Sequence, residues 1–312
     1  MMRVVSCRMV AGNYFQHQSM PFDALGNTFM QDIQVDFYHT LETATTAAKE
    51  AASILSIYAK DHSKLSIDYK QLNDLVSQAD RDAEQAILEV VRKQTPDFAI
   101  MAEESGNSPD LDQAPYAWII DPLDGTTNFL HGIPHYAVSI GLVARAGTML
   151  TTNTAPLAVD TPIVGVIYDF NRQELFSATY QNGCFLNGQR ISTSNALHLN
   201  DSLLATGVPF KDFSFEEPYM RGFTEAMHNT RGIRRLGSAA LDLAWVACGR
   251  FDGYWEMGLA PYDVCAGTIL VREAGGCVTD IYEKEPWPSG GNIIASNKHI
   301  ANSLGEMIRQ QL

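Results

Sequence analysis

The stretch WIIDPLDGTTNFLHGIPHYAVSIGL, residues 118–142, decides the reading of this chain. The apolar run Trp118–Ile120 ends in Asp121, and Pro122 and Leu123 separate it from a second acid, Asp124. Gly125, Thr126, Thr127 and Asn128 follow, and a second apolar run occupies 136–144. Apolar runs of this length between turn residues read as buried strands. Two carboxylates at the end of such a strand repel each other when both are ionised. A hard divalent cation such as Mg²⁺, which takes oxygen ligands, removes that repulsion. The carbonyl of Leu123, between the two acids, is a further oxygen donor. D-P-x-D-G is also an ordinary turn sequence, so this stretch alone leaves both readings open.

Other acids sit in similar places. Glu103 and Glu104 follow the apolar run FAIMA (98–102) and precede Gly106. Asp263 opens the apolar run of 262–276, where on its own it reads as a helix N-cap. Three apolar elements that each end in acid are best explained by convergence on a metal cluster. Gly125 allows close backbone approach to a ligand. The N–H groups of Gly125 and Thr126, at an expected helix start, suit a phosphate oxygen. Bare acids repel phosphate, so cations are expected before or with the substrate.

Outward from this centre, residues 36–61 repeat apolar positions at helical spacing: Phe37, Leu41, Ala47, Ala51, Ile54, Leu55 and Tyr58. A loop is expected over 62–73. A second helix starts at Ser77, with Asp80 in capping-box spacing, and puts Ala83, Ala86, Ile87, Val90 and Val91 on one face before Pro96. Strands are expected at 98–102, 116–121, 136–144, 164–169 and 174–180, with a hairpin over 182–191. Consecutive strands after two helices predict an antiparallel sheet. A Thr-rich surface loop is expected at 148–162.

The second half alternates: strands at 203–207, 252–257 and 292–297; helices at 216–229, 238–250, 262–276 and 298–312. Gly275 and Gly276 stop the third of these helices. The pattern predicts a layered α/β (α+β) fold in which halves of about 36–195 and 196–312 share one core. Residues 1–35 read as a disordered extension, or as the product of an upstream start with Met20 or Met30 as the true one.

The 312 residues are 46% hydrophobic, enough for a large core. No apolar run reaches the ~18 residues of a membrane span. A formal net charge of −14 disfavours nucleic acid and anionic membranes as non-specific partners. Five scattered cysteines without a C-x-x-C pair predict a reduced, cytoplasmic chain with neither disulfides nor a zinc site. His131 and His135 have zinc-like spacing, but Gly132 and Pro134 oppose a shared helical face. Cys265 near the acids is expected to pack rather than react.

With these residues in view, the chain resembles the Mg²⁺-dependent, lithium-sensitive inositol monophosphatases. MAEESG (101–106) is similar to the family's G-E-E-S segment. Residues 118–129 match its central signature W-x-x-D-P-[IL]-D-G-T-x-N-F, and YDVCAG (262–267) resembles its W-D-x-A-A-G. The resemblance runs from about residue 38 to the C-terminus, and RRLGSAALDLAWVACGRFDGYWEMGLAPYDVCAG (234–267) is most similar to the bacterial SuhB branch.

The resemblance implies a layered αβαβα sandwich, usually a homodimer. It implies Mg²⁺, two or three per subunit, with Li⁺ as inhibitor. Glu103, Asp121, the carbonyl of Leu123, Asp124 and Asp263 would be the metal ligands. Thr126 and Glu103 would position and activate the attacking water, and Asp80 would bond the threonine and relay its proton. Gly125 and Thr126 would hold phosphate. Gly237, Ser238, Ala239 and Glu256 would line a polyol pocket, with Asp263 beside it.

Ala102, Tyr262 and Cys265 depart from the family's glycine, tryptophan and alanine. Tyr262 could shift substrate preference. Thr127, where nucleotide and histidinol phosphatases of the family carry lysine, favours inositol phosphate and related sugar-alcohol monophosphates. Fructose 1,6-bisphosphate and 3′-phosphoadenosine 5′-phosphate are the alternative substrates. The SuhB likeness also implies transcription factors as partners, for which Arg231, Arg234 and Arg235 are the candidate contact, against a plain subunit salt bridge. An acid-pair glycosidase, active in EDTA, is the remaining alternative.

Overall fold

The computed structural model describes residues 35–61, 67–71, 74–151, 154–209 and 212–312. All but Val35 of the expected N-terminal extension lies outside them.

Helix α1 (Phe37–Lys60) starts where the Asp36 side chain accepts a hydrogen bond from the His39 N–H, 3.0 Å away. Its buried face is mostly alanine: Ala44, Ala47, Ala48 and Ala51. Small side chains let the helix lie close to its neighbours. Strands β1 (Ile67–Gln71) and β2 (Asp74–Ser77) pair antiparallel. The loop expected over 62–73 is therefore part strand, and its remaining residues lie outside those described. Helix α2 (Gln78–Gln94) begins with the expected capping box at Ser77 and Asp80. Ala83, Ile87 and Val91 are buried as expected, and Asp80 and Glu84 are buried with them.

The strands that follow are β3 (Ala99–Ala102), β4 (Gly106–Asn107), β5 (Tyr116–Asp124), β6 (Ala137–Ala144), β7 (Thr161–Asp169), β8 (Glu174–Thr179), β9 (Gly183–Leu186) and β10 (Gln189–Ile191). They form one sheet in the order β10-β9-β8-β7-β6-β5-β3-β4. One pairing corrects the antiparallel expectation. β3 runs parallel to β5, because the chain first turns back through β4 and then crosses to the other side of β3. A one-turn helix, α3 (Thr126–Leu130), lies between β5 and β6.

The second sheet has the order β12-β11-β13-β15-β14, from β11 (Leu203–Thr206), β12 (Gly232–Arg234), β13 (Gly253–Glu256), β14 (Cys277–Asp280) and β15 (Ile293–Ser296). The short β4, β12 and β14 were not expected from the sequence. The remaining helices are α4 (Glu216–Asn229), α5 (Ala239–Ala247), α6 (Pro261–Glu273) and α7 (Ala301–Arg309). Helices α1 and α2 cover one face of the large sheet; α5 and α6 lie between the sheets; α4 and α7 cover the far face of the small one. This is an αβαβα sandwich. Three apolar clusters fill the gaps, with Trp118, Tyr254 and Trp255 as large, fully buried members.

β5 is buried on both faces, which explains its unbroken apolar run. The strand does not stop at Asp121, as the sequence suggested, but continues to Asp124. The register with β6 shifts between these two residues. Pro122 sits in the shift, where no ladder N–H is needed.

Two glycines let α6 approach. Gly141 and Gly165 are opposite each other on β6 and β7. A Cβ on Gly141 would meet Cys265 Sγ at 2.4 Å, and one on Gly165 would meet the Ala266 carbonyl at 2.7 Å. The helix thus lies directly on the strands, and its first turn delivers Asp263 beside Asp121. Cys265 is a packing residue here, fully buried, and burial pushes its thiol well up from the ordinary range.

Candidate active site

Asp121, Asp124 and Asp263 each offer a carboxylate oxygen, and these lie within 4.8 Å of one another. Each is oriented by the backbone. Asp121 Oδ1 accepts from the Leu123 N–H at 2.9 Å. Asp124 Oδ2 accepts from Ser238 Oγ at 2.6 Å and from the Ala240 N–H at 2.7 Å. Asp263 Oδ2 accepts from the Ala260 N–H at 2.7 Å. Asp263 is therefore not the N-cap expected of it: Ala260 holds that position, and Asp263 bonds back to it from the first turn. Glu103 emerges from the end of β3 beside them and lines the same cavity. Its position is set by Glu84 of α2, whose carboxylate accepts from the N–H groups of Glu104 and Ser105 at 2.7 and 2.8 Å.

A second group stands at the edge of the cluster. Thr126 Oγ1 lies 3.0 Å from Asp80 Oδ1 and 3.1 Å from the Leu123 carbonyl, both acceptors for its single hydrogen. Asp80 is fixed in turn by the Ser77 hydroxyl at 2.5 Å and the Ser77 N–H at 2.9 Å. Gly125 precedes Thr126 with φ +100°, the left-handed region, so the turn into α3 needs glycine.

The cavity itself measures about 200 Å³. Gly237, Ser238, Ala239 and Glu256 line its other side, as the sequence reading placed them. Ser238 has a further task, since its hydroxyl holds Asp124. Glu256 Oε2 accepts from Tyr254 Oη at 2.6 Å. Its carboxylate fills the space beside Gly207, where a Cβ would come within 1.8 Å of Oε1. Arg235, Thr206, Gly207 and Asp242 also line the cavity and were not among the expected site residues. Arg235, next to Arg234 in the sequence and exposed like it, also lines the cavity, while Arg231 pairs with Asp201 at 3.1 Å.

Electrostatics follow from this crowding. Burial, then the charges of Glu103, Asp124 and Asp263, push Asp121 well above the usual carboxylate range. Asp263 is raised for the same reasons. Asp124 is pushed up to about 6 by burial, against the bonds from Ser238 and Ala240 and the charge of Arg235. Buried carboxylates that crowd each other fit a hard divalent cation, whose charge offsets both the cost of burial and the mutual repulsion.

A pH dependence follows for the protein in EDTA. An aspartate that titrates near 4 when unfolded and near 6 when folded binds more protons in the folded state between those values. Stability then falls as pH rises through that window, and Asp121 and Asp263 carry the fall higher. Melting temperatures in EDTA should drop between pH 5 and pH 7.5, and excess Mg²⁺ should flatten or reverse the trend. A flat profile in EDTA would contradict the crowding described.

His135 is buried and packs edge-on to Trp245, with ring centroids 5.3 Å apart. Burial and the charge of Arg172 lower it to about 4, so it is neutral near pH 7. No helix among the described residues is long and apolar enough to cross a membrane.

Known proteins resemble this chain in sequence and fold. The model of the inositol monophosphatase family matches residues 38–312. An inositol-1-monophosphatase of Synechocystis is 43% identical over 276 residues, 88% of this chain and 90% of that protein. The Nus factor SuhB of Escherichia coli is 39% identical over 272 residues, 87% of this chain and 96% of that protein. The crystal structure of the extragenic suppressor protein suhB from Bartonella henselae superposes with a TM-score of 0.78 at 38% identity, covering 88% of this chain and 99% of that one. Fold and acid cluster together define a phosphatase. The chain belongs to the inositol monophosphatase family.

Proposed function

We propose that this protein is a Mg²⁺-dependent phosphomonoesterase acting on myo-inositol 1-phosphate and related sugar-alcohol monophosphates. The observation that carries the reading is the convergence of three carboxylates within 4.8 Å of one another in the lining of a cavity that Glu256 also lines. Glu103, Asp121, Asp124, Asp263 and the carbonyl of Leu123 are the proposed ligands for two or three Mg²⁺. Mg²⁺ bound there neutralises charge on the phosphoryl oxygens and acidifies water.

The chain's own residues supply the rest. Thr126 points its hydrogen at Asp80 or Leu123, so its oxygen is left to accept from a water held between it and Glu103. A proton passed to Thr126 Oγ1 releases the threonine's own hydrogen toward Asp80 Oδ1. Burial raises Asp80 against the bonds from Ser77 and Thr126, which suits an acceptor of that proton. The first turn of α3, at Gly125 and Thr126, receives the phosphate. Gly237, Ser238, Ala239 and Glu256 face the leaving alcohol, with Asp263 at its phosphate end.

The same reading gives a homodimer, with the groove lined by Ile133, Leu236, Trp245 and Phe251 as the contact face, and Li⁺ as an inhibitor. A second role, in transcription complexes, is favoured by the likeness to the Escherichia coli Nus factor; the exposed Arg234 is its candidate contact.

The test is phosphate release from myo-inositol 1-phosphate with Mg²⁺ and with EDTA, beside fructose 1,6-bisphosphate and 3′-phosphoadenosine 5′-phosphate. Mg²⁺-dependent release, fastest from the inositol phosphate, is expected. Release that persists in EDTA, or none from folded protein, would overturn the reading.

A further inference from the structure

One buried acid has no part in the scheme above. Asp242 is the only charged residue of α5, whose sequence is otherwise AAL-LAWVA. It is 1% exposed and lines the same cavity as Glu256. Ser238 caps the helix, accepting from the Leu241 N–H at 3.3 Å, so Asp242 is not needed there. Its Oδ1 is buried and has no hydrogen-bond partner among the described residues. Buried polar atoms are nearly always satisfied, and an acid left unsatisfied on a cavity wall implies a donor that arrives with the ligand.

The neighbours say what kind of donor. Glu256, also buried, is already served by Tyr254 Oη and by the backbone of Gly207. Burial first, then the charges of Glu256 and Asp124, push Asp242 well above the usual carboxylate range, against the charge of Arg235. Among the described lining residues Arg235 is the sole lysine or arginine, and it is exposed. This wall therefore carries more acid than base. It offers acceptor oxygens to hydroxyls and, apart from Arg235, no cation to a second anionic group.

We propose that Asp242 is a specificity-determining residue that, beside Glu256, accepts hydrogen bonds from hydroxyls of the leaving alcohol and turns away substrates with a second anionic group. The ligand class is a neutral, hydroxyl-rich alcohol carrying a single phosphate. The inference rests on the phosphatase reading and extends it to the alcohol side of the cavity, away from the carboxylates assigned to metal.

The experiment compares the wild-type chain, Asp242→Leu and Asp242→Asn on three substrates: myo-inositol 1-phosphate, p-nitrophenyl phosphate and fructose 1,6-bisphosphate. p-Nitrophenyl phosphate has no hydroxyl on its leaving group. Leucine branches at the same carbon as aspartate, is bulkier and suits an apolar helix, and asparagine is the isosteric variant; circular dichroism and melting check that both fold. Asp242→Leu should raise KM for the inositol phosphate about tenfold while kcat changes about twofold or less. KM for p-nitrophenyl phosphate should stay within about twofold, and the preference for inositol phosphate over the bisphosphate should narrow. Asp242→Asn, which keeps one acceptor oxygen, should fall between.

Equal losses on all three substrates would assign Asp242 a structural role and overturn the proposal. An unchanged KM for inositol phosphate would also overturn it. Should the wild-type chain hydrolyse none of the three, the phosphatase reading fails by itself. The Kd of myo-inositol 1-phosphate by titration calorimetry then decides the same question: weaker binding in the leucine variant supports the contact, and equal or absent binding refutes it.

Discussion

Asp121→Asn is expected to abolish activity and, in the same protein, to raise the stability of the metal-free fold. Asp121 is 1% exposed and lies among Glu103, Asp124 and Asp263. Without a cation these groups repel through a poorly screened interior. Removing one charge relieves burial and repulsion together, a gain of about 1–2 kcal/mol on the scale of other stabilising substitutions at active sites. Asparagine keeps an oxygen to accept from the Leu123 N–H, so the turn around Pro122 survives. Activity should fall by about 10³-fold or more, since a neutral amide cannot replace a carboxylate ligand. Thermal melts in EDTA should shift upward in the variant, and Mg²⁺ should protect it less than wild type. Activity kept within tenfold, or an EDTA melt lower than wild type, would contradict the account.

That paired effect also shows how much of the site could be read in advance. Asp121, Pro122 and Asp124 stand next to one another in the chain, so their spacing and repulsion were visible there. Glu103 and Asp263 were visible as acids at the ends of apolar runs. Asp80 was legible as half of a capping box, but its bond to Thr126 spans 46 positions and exists only once β5 and α2 are packed. Glu84 was legible in principle. It lies one helical turn after Asp80 on a buried face, where a carboxylate needs partners, and those partners are the N–H groups that follow Glu103.

The misses have physical causes too. Asp242 looks like an ordinary polar position in a short helix until the opposite wall of the cavity is built. Arg235 sits beside two other arginines, and sequence adjacency hid the fact that, of the three, only it lines the cavity. The parallel pairing of β3 with β5 depends on a two-residue strand, too short to leave a periodic signal. The edge strands β12 and β14 are similarly brief. The αβαβα layering, by contrast, came only from the family resemblance that the long signature in 118–129 carries; the local patterns gave no more than a layered α/β fold.

Thr126→Val is expected to lower kcat by about 10²–10³-fold with little change in KM, the range of a lost proton-transfer partner. Valine matches threonine in shape and removes only the hydroxyl. Asp80 Oδ1 then loses a donor inside the protein, at a cost of about 1 kcal/mol or somewhat more. Asp80 Oδ2 keeps its two bonds from Ser77, so the carboxyl stays in place. Thr126→Ser, which restores the hydroxyl, should recover most of kcat. Asp80→Asn should cost less than Thr126→Val, because the Leu123 carbonyl at 3.1 Å remains an acceptor for the threonine hydrogen. In the double variant the two losses should not add, since both act through one hydrogen-bonded chain. If Thr126→Val keeps kcat within about threefold, Thr126 does not orient the attacking water, and the role passes to Glu103 alone.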